Sequence, residues 1–143
     1  MREILFRGKR TDSGEWVYGN YCIAEKLDKS GVEYFIIEIE AEGSQYYVIP
    51  ETVGQYTGLL DKNGKRIFEG DIVKTKKYGK IIGHSNVNGF DIFVVIYESA
   101  MFRLENTHRA FNLVGKCGKG IDYEIIGNVH DNPELLEVED NDR

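Results

Sequence analysis

The sequence predicts a mainly β fold: a strongly bent antiparallel sheet or small open barrel, with one short helix at the C-terminal end. Three observations carry this. The apolar residues, 41% of the chain, are dominated by Ile, Val, Phe and Tyr, which suit a pleated, half-buried surface. Turn residues recur at short intervals, with 16 Gly against 2 Pro. Turns are therefore made with the residue that takes positive φ at no steric cost, and few prolines interrupt strands. Between the turns, apolar residues alternate at period two.

Taken in order, Arg2 to Arg7 reads as a first strand with Ile4 and Phe6 on one face. Thr11-Asp12-Ser13-Gly14 has the composition of a type I turn. Glu15 to Ala24 alternates, with Trp16, Tyr18 and Cys22 on one face and Val17, Tyr21 and Ile23 on the other. Asp28-Lys29-Ser30-Gly31 repeats the turn chemistry, and Val32 to Ile39 is a strong strand with Phe35, Ile37 and Ile39 at period two. Gln45 to Ile49 is a short strand that Pro50 breaks. Lys80 to Gly83 reads as another short strand. Phe90 to Glu98 is apolar on both faces in its middle, as in a strand buried on two sides. Met101 to Leu104 continues the sheet. Thr107 to Val114 fits helix or strand, and Asp122 to His130 is the last strand. Asn132-Pro133-Glu134 is the start of a short helix: Asn caps, Pro fits the first turn, and Glu complements the positive end.

The densest set of backbone-directing residues lies in Gln55 to Val73, Q-Y-T-G-L-L-D-K-N-G-K-R-I-F-E-G-D-I-V. Asp61-Lys62-Asn63-Gly64 suits a hairpin loop of three to five residues, and Arg66 to Phe68 is the return strand. Gly70 marks a tight backbone approach, and Asp71 acts as an Asx-type turn residue before a strand over Ile72 to Lys76. Backbone geometry accounts for Gly58, Asp61, Gly64, Gly70 and Asp71. It leaves Gln55, Tyr56 and Glu69 unexplained, so these three are the candidate partner-binding residues. A weak echo sets residues 8–21 against 58–72, with Gly8, Gly14 and Gly19-Asn20 matching Gly58, Gly64 and Gly70-Asp71. Repeated use of hairpin turns is the simpler account, and a duplicated hairpin unit the alternative.

The length of 143 residues fits one domain over 1–138 with a polar tail at 139–143. A net charge of −6 argues mildly against nucleic acid as main partner. No apolar run approaches the roughly 20 residues of a membrane helix. The N-terminal segment, with charges on both sides of three apolar residues, does not read as a signal peptide. Cys22 and Cys117 form no C-x-x-C pair; a reducing, cytoplasmic setting is the simpler reading, and a 22–117 disulfide the alternative.

Chemistry is sparsely signalled. His84, His108 and His130 lack the close second ligand of structural zinc sites, so no metal or cofactor is expected. Cys22 reads as a small core residue, whereas Cys117, between Lys116 and Lys119, is the more reactive thiol. The loop G-K-C-G-K-G at 115–120 fails the phosphate-loop register and runs into a strand instead of a helix. The pairs Glu69/Asp71 and Asp122/Glu124 share strand faces, as acid–base pairs do, but turn and edge roles explain them. No catalytic residue is assigned. Lys74, Lys76, Lys77 and Lys80 form a basic patch with Tyr78. Guarding a strand edge is the simple role for it, and nucleic-acid binding the alternative.

The central block, with F-R-G-K (6–9), W-V-Y-G (16–19) and I-G-N-V-H-D-N-P-E-L-L (126–136), resembles the YopX family of small phage and prophage proteins. The resemblance spans Ile4 to about Glu137 and implies a β-rich fold, a bacterial host cytoplasm, and no assigned biochemistry. E-G-D-I-V before a lysine-rich turn is also similar to the strand entry of SH3-like barrels, which bind many unrelated ligands. The expectation is a non-enzymatic accessory protein that binds a protein partner through strand edges or tyrosines, with homo-oligomers through the same edges an option. Nucleic-acid binding by the lysine patch is the first alternative. An enzyme acting on a phosphorylated or nucleotide substrate near 115–120 is the second.

Overall fold

The computed structural model describes residues 3–39, 42–76, 90–106, 110–113 and 123–136. The expected strand at Lys80–Gly83, the histidines at 84 and 108, Cys117, the 115–120 loop, Lys77, Lys80 and the 139–143 tail lie outside these residues. The chain forms two compact units, Met1–Gly58 and Leu59–Arg143.

The first unit is a meander. Strands β1 (Phe6–Lys9), β2 (Trp16–Glu25), β3 (Val32–Ile37) and β4 (Gln45–Tyr47) pair in sequence, each antiparallel to the last. A 3-10 turn at Pro50–Thr52 then leads to β5 (Gly54–Leu60), which returns beside β1 to give the order β4-β3-β2-β1-β5. The turn is tied down by Thr52, whose hydroxyl accepts from the Lys9 amide and donates to the Ile49 carbonyl. Strand β2 is long because two partners share it: residues 16–19 pair with β1 and residues 20–25 with β3. The change of partner falls at Gly19, where a Cβ would lie 2.0 Å from the Ile37 carbonyl oxygen. The Ile37 backbone can come this close only to a residue that carries no side chain. An isolated bridge joins Arg10 to Val48.

The core of this unit is Val17, Ile36 and Val48, with Tyr21, Tyr34, Tyr46 and Val53 packed around them. Ile36 is fully buried, which contributes about 1.5–3 kcal/mol by removal of its side chain from water. Gly8 brings β1 against this core: its Cβ position lies 3.2 Å from both Val48 and Val53.

The second unit repeats the strand order. Strands β7 (Asp71–Lys76), β8 (Phe90–Glu98), β9 (Met101–Glu105) and β10 (Ala110–Asn112) form an antiparallel meander, and β11 (Glu124–Asn128) returns beside β7. Here β8 is the shared strand, pairing through 90–94 with β7 and through 94–98 with β9. Before the meander, β6 (Arg66–Phe68) is the strand next to β5. The segment that fitted helix or strand is therefore the edge strand β10. The core is Ile67, Val73, Phe93, Val95, Leu104 and Tyr123, with Leu59, Leu113 and Ile125 against it.

Both sheets are antiparallel and open, and each has the strand order of an SH3-like open barrel: four strands in a meander and a fifth returning to the first. The repeat matches β1–β5 to β7–β11. The echo between residues 8–21 and 58–72 instead aligns the β1–β2 hairpin with the β5–β6 hairpin, so it is not the repeat of the architecture. The C-terminal helix is a single turn, residues 134–136.

Candidate functional site

The residues that crowd the central stretch hold backbone. Asp61 is 6% exposed, and its carboxylate is saturated by main-chain donors. Oδ1 accepts from the amides of Asn63 (2.8 Å) and Lys65 (2.9 Å), and Oδ2 from the amide of Ile125 (3.1 Å). The side chain thus closes the β5–β6 loop and fastens it to β11, helped by the Lys62 amide donating to the Tyr123 carbonyl at 2.8 Å. Gly64 completes the loop at φ 80°, in the left-handed region that favours glycine. Asp71, 2% exposed, accepts from the Phe68 amide at 2.8 Å. Gly70, at φ 92°, donates to the Val95 carbonyl and accepts from the Val129 amide. Neither carboxylate is set out for acid–base work.

The C-terminal block has the same character. Asn128 Oδ1 accepts from the amides of His130 and Asp131 at 3.0 and 2.9 Å. Asn132 Oδ1 faces the Asn128 amide and occupies the space a Cβ on Gly127 would need, 2.5 Å away. In the N-terminal blocks, Gly8 and Gly19 serve close packing. Trp16 lies under two cations, with the Arg7 guanidinium carbon 4.6 Å and the Lys9 ammonium 5.6 Å from its ring centroid.

The candidate partner residues fall in different settings. Gln55 is half-buried in β5, opposite Phe6. Tyr56 is 7% exposed, and its amide donates to the Leu5 carbonyl. Glu69 is half-buried in the turn between β6 and β7. Gln55 and Tyr56 belong to the first unit and Glu69 to the second.

Of the basic patch, Lys74 lies in β7 with its ammonium 3.2 Å from Glu124, and Lys62 reaches the same carboxylate oxygen at 3.4 Å. The hydrogen bond from Lys74 is the main cause holding the Glu124 carboxyl below its ordinary pKa, with the charge of Lys62 acting in the same direction. Lys76 continues β7. Among the described residues no group of three His, Cys, Asp or Glu side chains is arranged to hold a metal ion, and no helix is long and apolar enough to cross a membrane.

A further surface emerges from the strand faces. In β3 the inward residue is Ile36, so Phe35 and Ile37 point outward. Cys22, Phe35 and Tyr47 stand in one cross-strand row. The Phe35 and Tyr47 rings meet edge to face at 6.5 Å, and Tyr47 is 58% exposed. Both faces of β3 are apolar in sequence, so period two alone could not say which was inward. The one local signal for the outer face is Glu33, which alternation places with Phe35 and Ile37 and opposite in direction to Ile36.

These features define an all-β scaffold whose marked residues fix turns and strand bends, with open apolar surface on its strands. The chain belongs to the YopX family: the family model described as YopX protein matches residues 5–137. Among solved structures it is similar to the crystal structure of protein EF1440 from Enterococcus faecalis, at 26% identity, with 95% of this chain and 99% of that chain covered and a TM-score of 0.51. No curated protein matches it.

Proposed function

We propose that this chain is a non-catalytic phage or prophage accessory protein that works by binding another protein in the cytoplasm of a bacterial host. The observation that carries the reading is the outward display of large side chains along the strands. Tyr18, Tyr47 and Tyr97 are 44%, 58% and 53% exposed, and the Tyr97 ring is braced edge-on by Phe102 at 5.0 Å. Tyrosine on a fixed strand offers large contact area with few rotamers to freeze, which is why it is enriched where proteins bind one another. Gln55 in the first unit and Glu69 in the second, both half-buried, are each secondary contact candidates, and Tyr56, 7% exposed, offers a partner little surface.

The nucleic-acid reading has less support. Lys74 is engaged with Glu124, so a phosphate would have to compete with a carboxylate already in place. The experiment is affinity capture with the tagged full-length chain from infected or lysogenic host cells. A single host or phage protein recovered in stoichiometric amount, resistant to nuclease, is the expected result. Recovery of nucleic acid alone would overturn the reading in favour of the lysine patch.

A further inference from the structure

We propose that Asn63 is a self-modification site: its side-chain amide is lost by cyclisation onto the Gly64 nitrogen when the β5–β6 loop opens, and the product no longer closes that loop on Asp61. The inference stands apart from what the chain binds. An Asn side chain holds an electrophilic carbon, Cγ, one ring closure away from the nitrogen of the next residue. With Gly in that position no side chain obstructs the approach. Residues 62–66 are exposed, and nothing lies within 4 Å of where a Cβ on Gly64 would stand, so water and base reach the pair.

The closed loop holds the reaction back. The Gly64 amide, which must give up its proton and turn toward Cγ, donates to the Asp61 carbonyl at 3.0 Å. The amides of Asn63 and Lys65, on either side of it, both donate to Asp61 Oδ1, at 2.8 and 2.9 Å. The Asp61 amide donates to the Lys65 carbonyl at 2.7 Å. The peptide between Asn63 and Gly64 is therefore fixed from both ends, and it turns only when these bonds open together as a local unfolding event.

The chemistry needs only water. The Gly64 nitrogen loses its proton to solvent base and bonds to Asn63 Cγ. The bond from Cγ to the side-chain nitrogen breaks, and ammonia leaves with a proton from water, giving a cyclic imide. Water then opens the ring. Attack at Cγ leaves an aspartyl residue. Attack at the main-chain carbonyl leaves an isoaspartyl linkage, with one more carbon in the main chain and a free carboxylate. The amides of Asn63 and Lys65 share one oxygen across a single residue, and the longer main chain between them draws at least one away from it. The opening is thereby recorded irreversibly.

The test incubates the purified full-length chain in mildly alkaline buffer, folded and in denaturing urea. Mass spectrometry of proteolytic peptides follows the exchange of NH2 for OH at Asn63, and fragmentation distinguishes the isoaspartyl linkage. Asn88, in the chain's other Asn-Gly pair and outside the described residues, is the internal reference in urea. Asn63 should react in urea about as fast as Asn88, and at least about tenfold more slowly in the folded chain, because more than one hydrogen bond must open. Asp61→Ala, shown by circular dichroism to fold, should move the folded rate toward the rate in urea; if it does not fold, the comparison of folded chain with urea decides alone. Gly64→Ala should slow the reaction in urea, as ring closure requires. The refolded isoaspartyl form should exchange its Ile125 amide faster, since that amide also rests on Asp61. Equal rates in the folded chain and in urea, or no reaction at Asn63 where Asn88 reacts, would overturn the proposal. So would an isoaspartyl form whose Ile125 amide stays as protected as in the unaltered chain.

Discussion

Replacing Asp61 by Ala removes three acceptor contacts at once and is the sharpest probe of the central stretch. The carboxylate takes the amides of Asn63, Lys65 and Ile125 while itself 6% exposed. Asn63 and Lys65 are exposed, so their freed amides turn to water. Each such loss costs about 1 kcal/mol, and the half-buried Ile125 amide in β11 costs about 2 kcal/mol. The sum is about 4 kcal/mol. With a urea slope of about 2 kcal/mol/M, the unfolding midpoint of Asp61→Ala should fall by about 2 M. Asp61→Asn keeps one acceptor oxygen and turns an amide donor toward the Ile125 N–H, or loses the loop bonds instead, so it should fall roughly half as far. Hydrogen exchange gives a local readout: the amides of residues 63, 65 and 125 should lose protection together. A midpoint for Asp61→Ala within about 0.3 M of the unaltered chain would refute the assignment of this residue as the fastening of loop to strand.

Other positions test the same account. Gly19→Ala puts a methyl group where the Ile37 carbonyl oxygen lies 2.0 Å away, backbone against backbone. It should cost at least about 3 kcal/mol or abolish soluble expression. Gly64→Ala meets no neighbour within 4 Å but keeps φ at 80°, and should cost only about 1–2 kcal/mol by thermal unfolding. The β8–β9 hairpin turns through Ser99 and Ala100 at φ 54° and 61°, a primed turn made without its preferred residues. Ser99→Asn with Ala100→Gly should therefore raise stability by about 1–2 kcal/mol, read as a higher urea midpoint. Glu124 titrates below its ordinary value in the folded chain because of Lys74 and Lys62. Its contribution is present above the unfolded pKa and is lost as pH falls through the lower, folded one. The stability difference between the unaltered chain and Glu124→Gln should hold steady near neutral pH and shrink below about pH 4.5.

Local chemistry made most of the strands legible. Val32–Ile37, Arg66–Phe68 and Phe90–Glu98 form where β-branched and aromatic residues lie between turn signals. The capping sequence Asn132-Pro133-Glu134 leads into the helical turn, with the Leu135 amide donating to the Asn132 carbonyl. Backbone roles for Asp61, Gly64, Gly70 and Asp71 were equally readable, because those residue types have few other reasons to occur together. Strand β5 was only half visible: Gly54, Gly58 and Thr57 dilute its apolar pattern, and its pairing with β1 is a contact between distant residues. The repeated strand order was not legible for the same reason. It resides in which strands neighbour one another, and the change of partner along β2 and β8 is a pairing that no local periodicity encodes. The inward face of β3 was hidden by having Tyr34 and Ile36 compete with Phe35 and Ile37, two stripes of nearly equal apolarity.

The marked residues of the Gln55–Val73 stretch hold backbone, with Asp61 as the fastening of the β5–β6 loop to β11. Native-state hydrogen exchange on the unaltered chain and Asp61→Ala tests this most directly. Exchange at the amides of Asn63, Lys65 and Ile125 should speed up together in the variant. Unchanged protection at all three amides would contradict it.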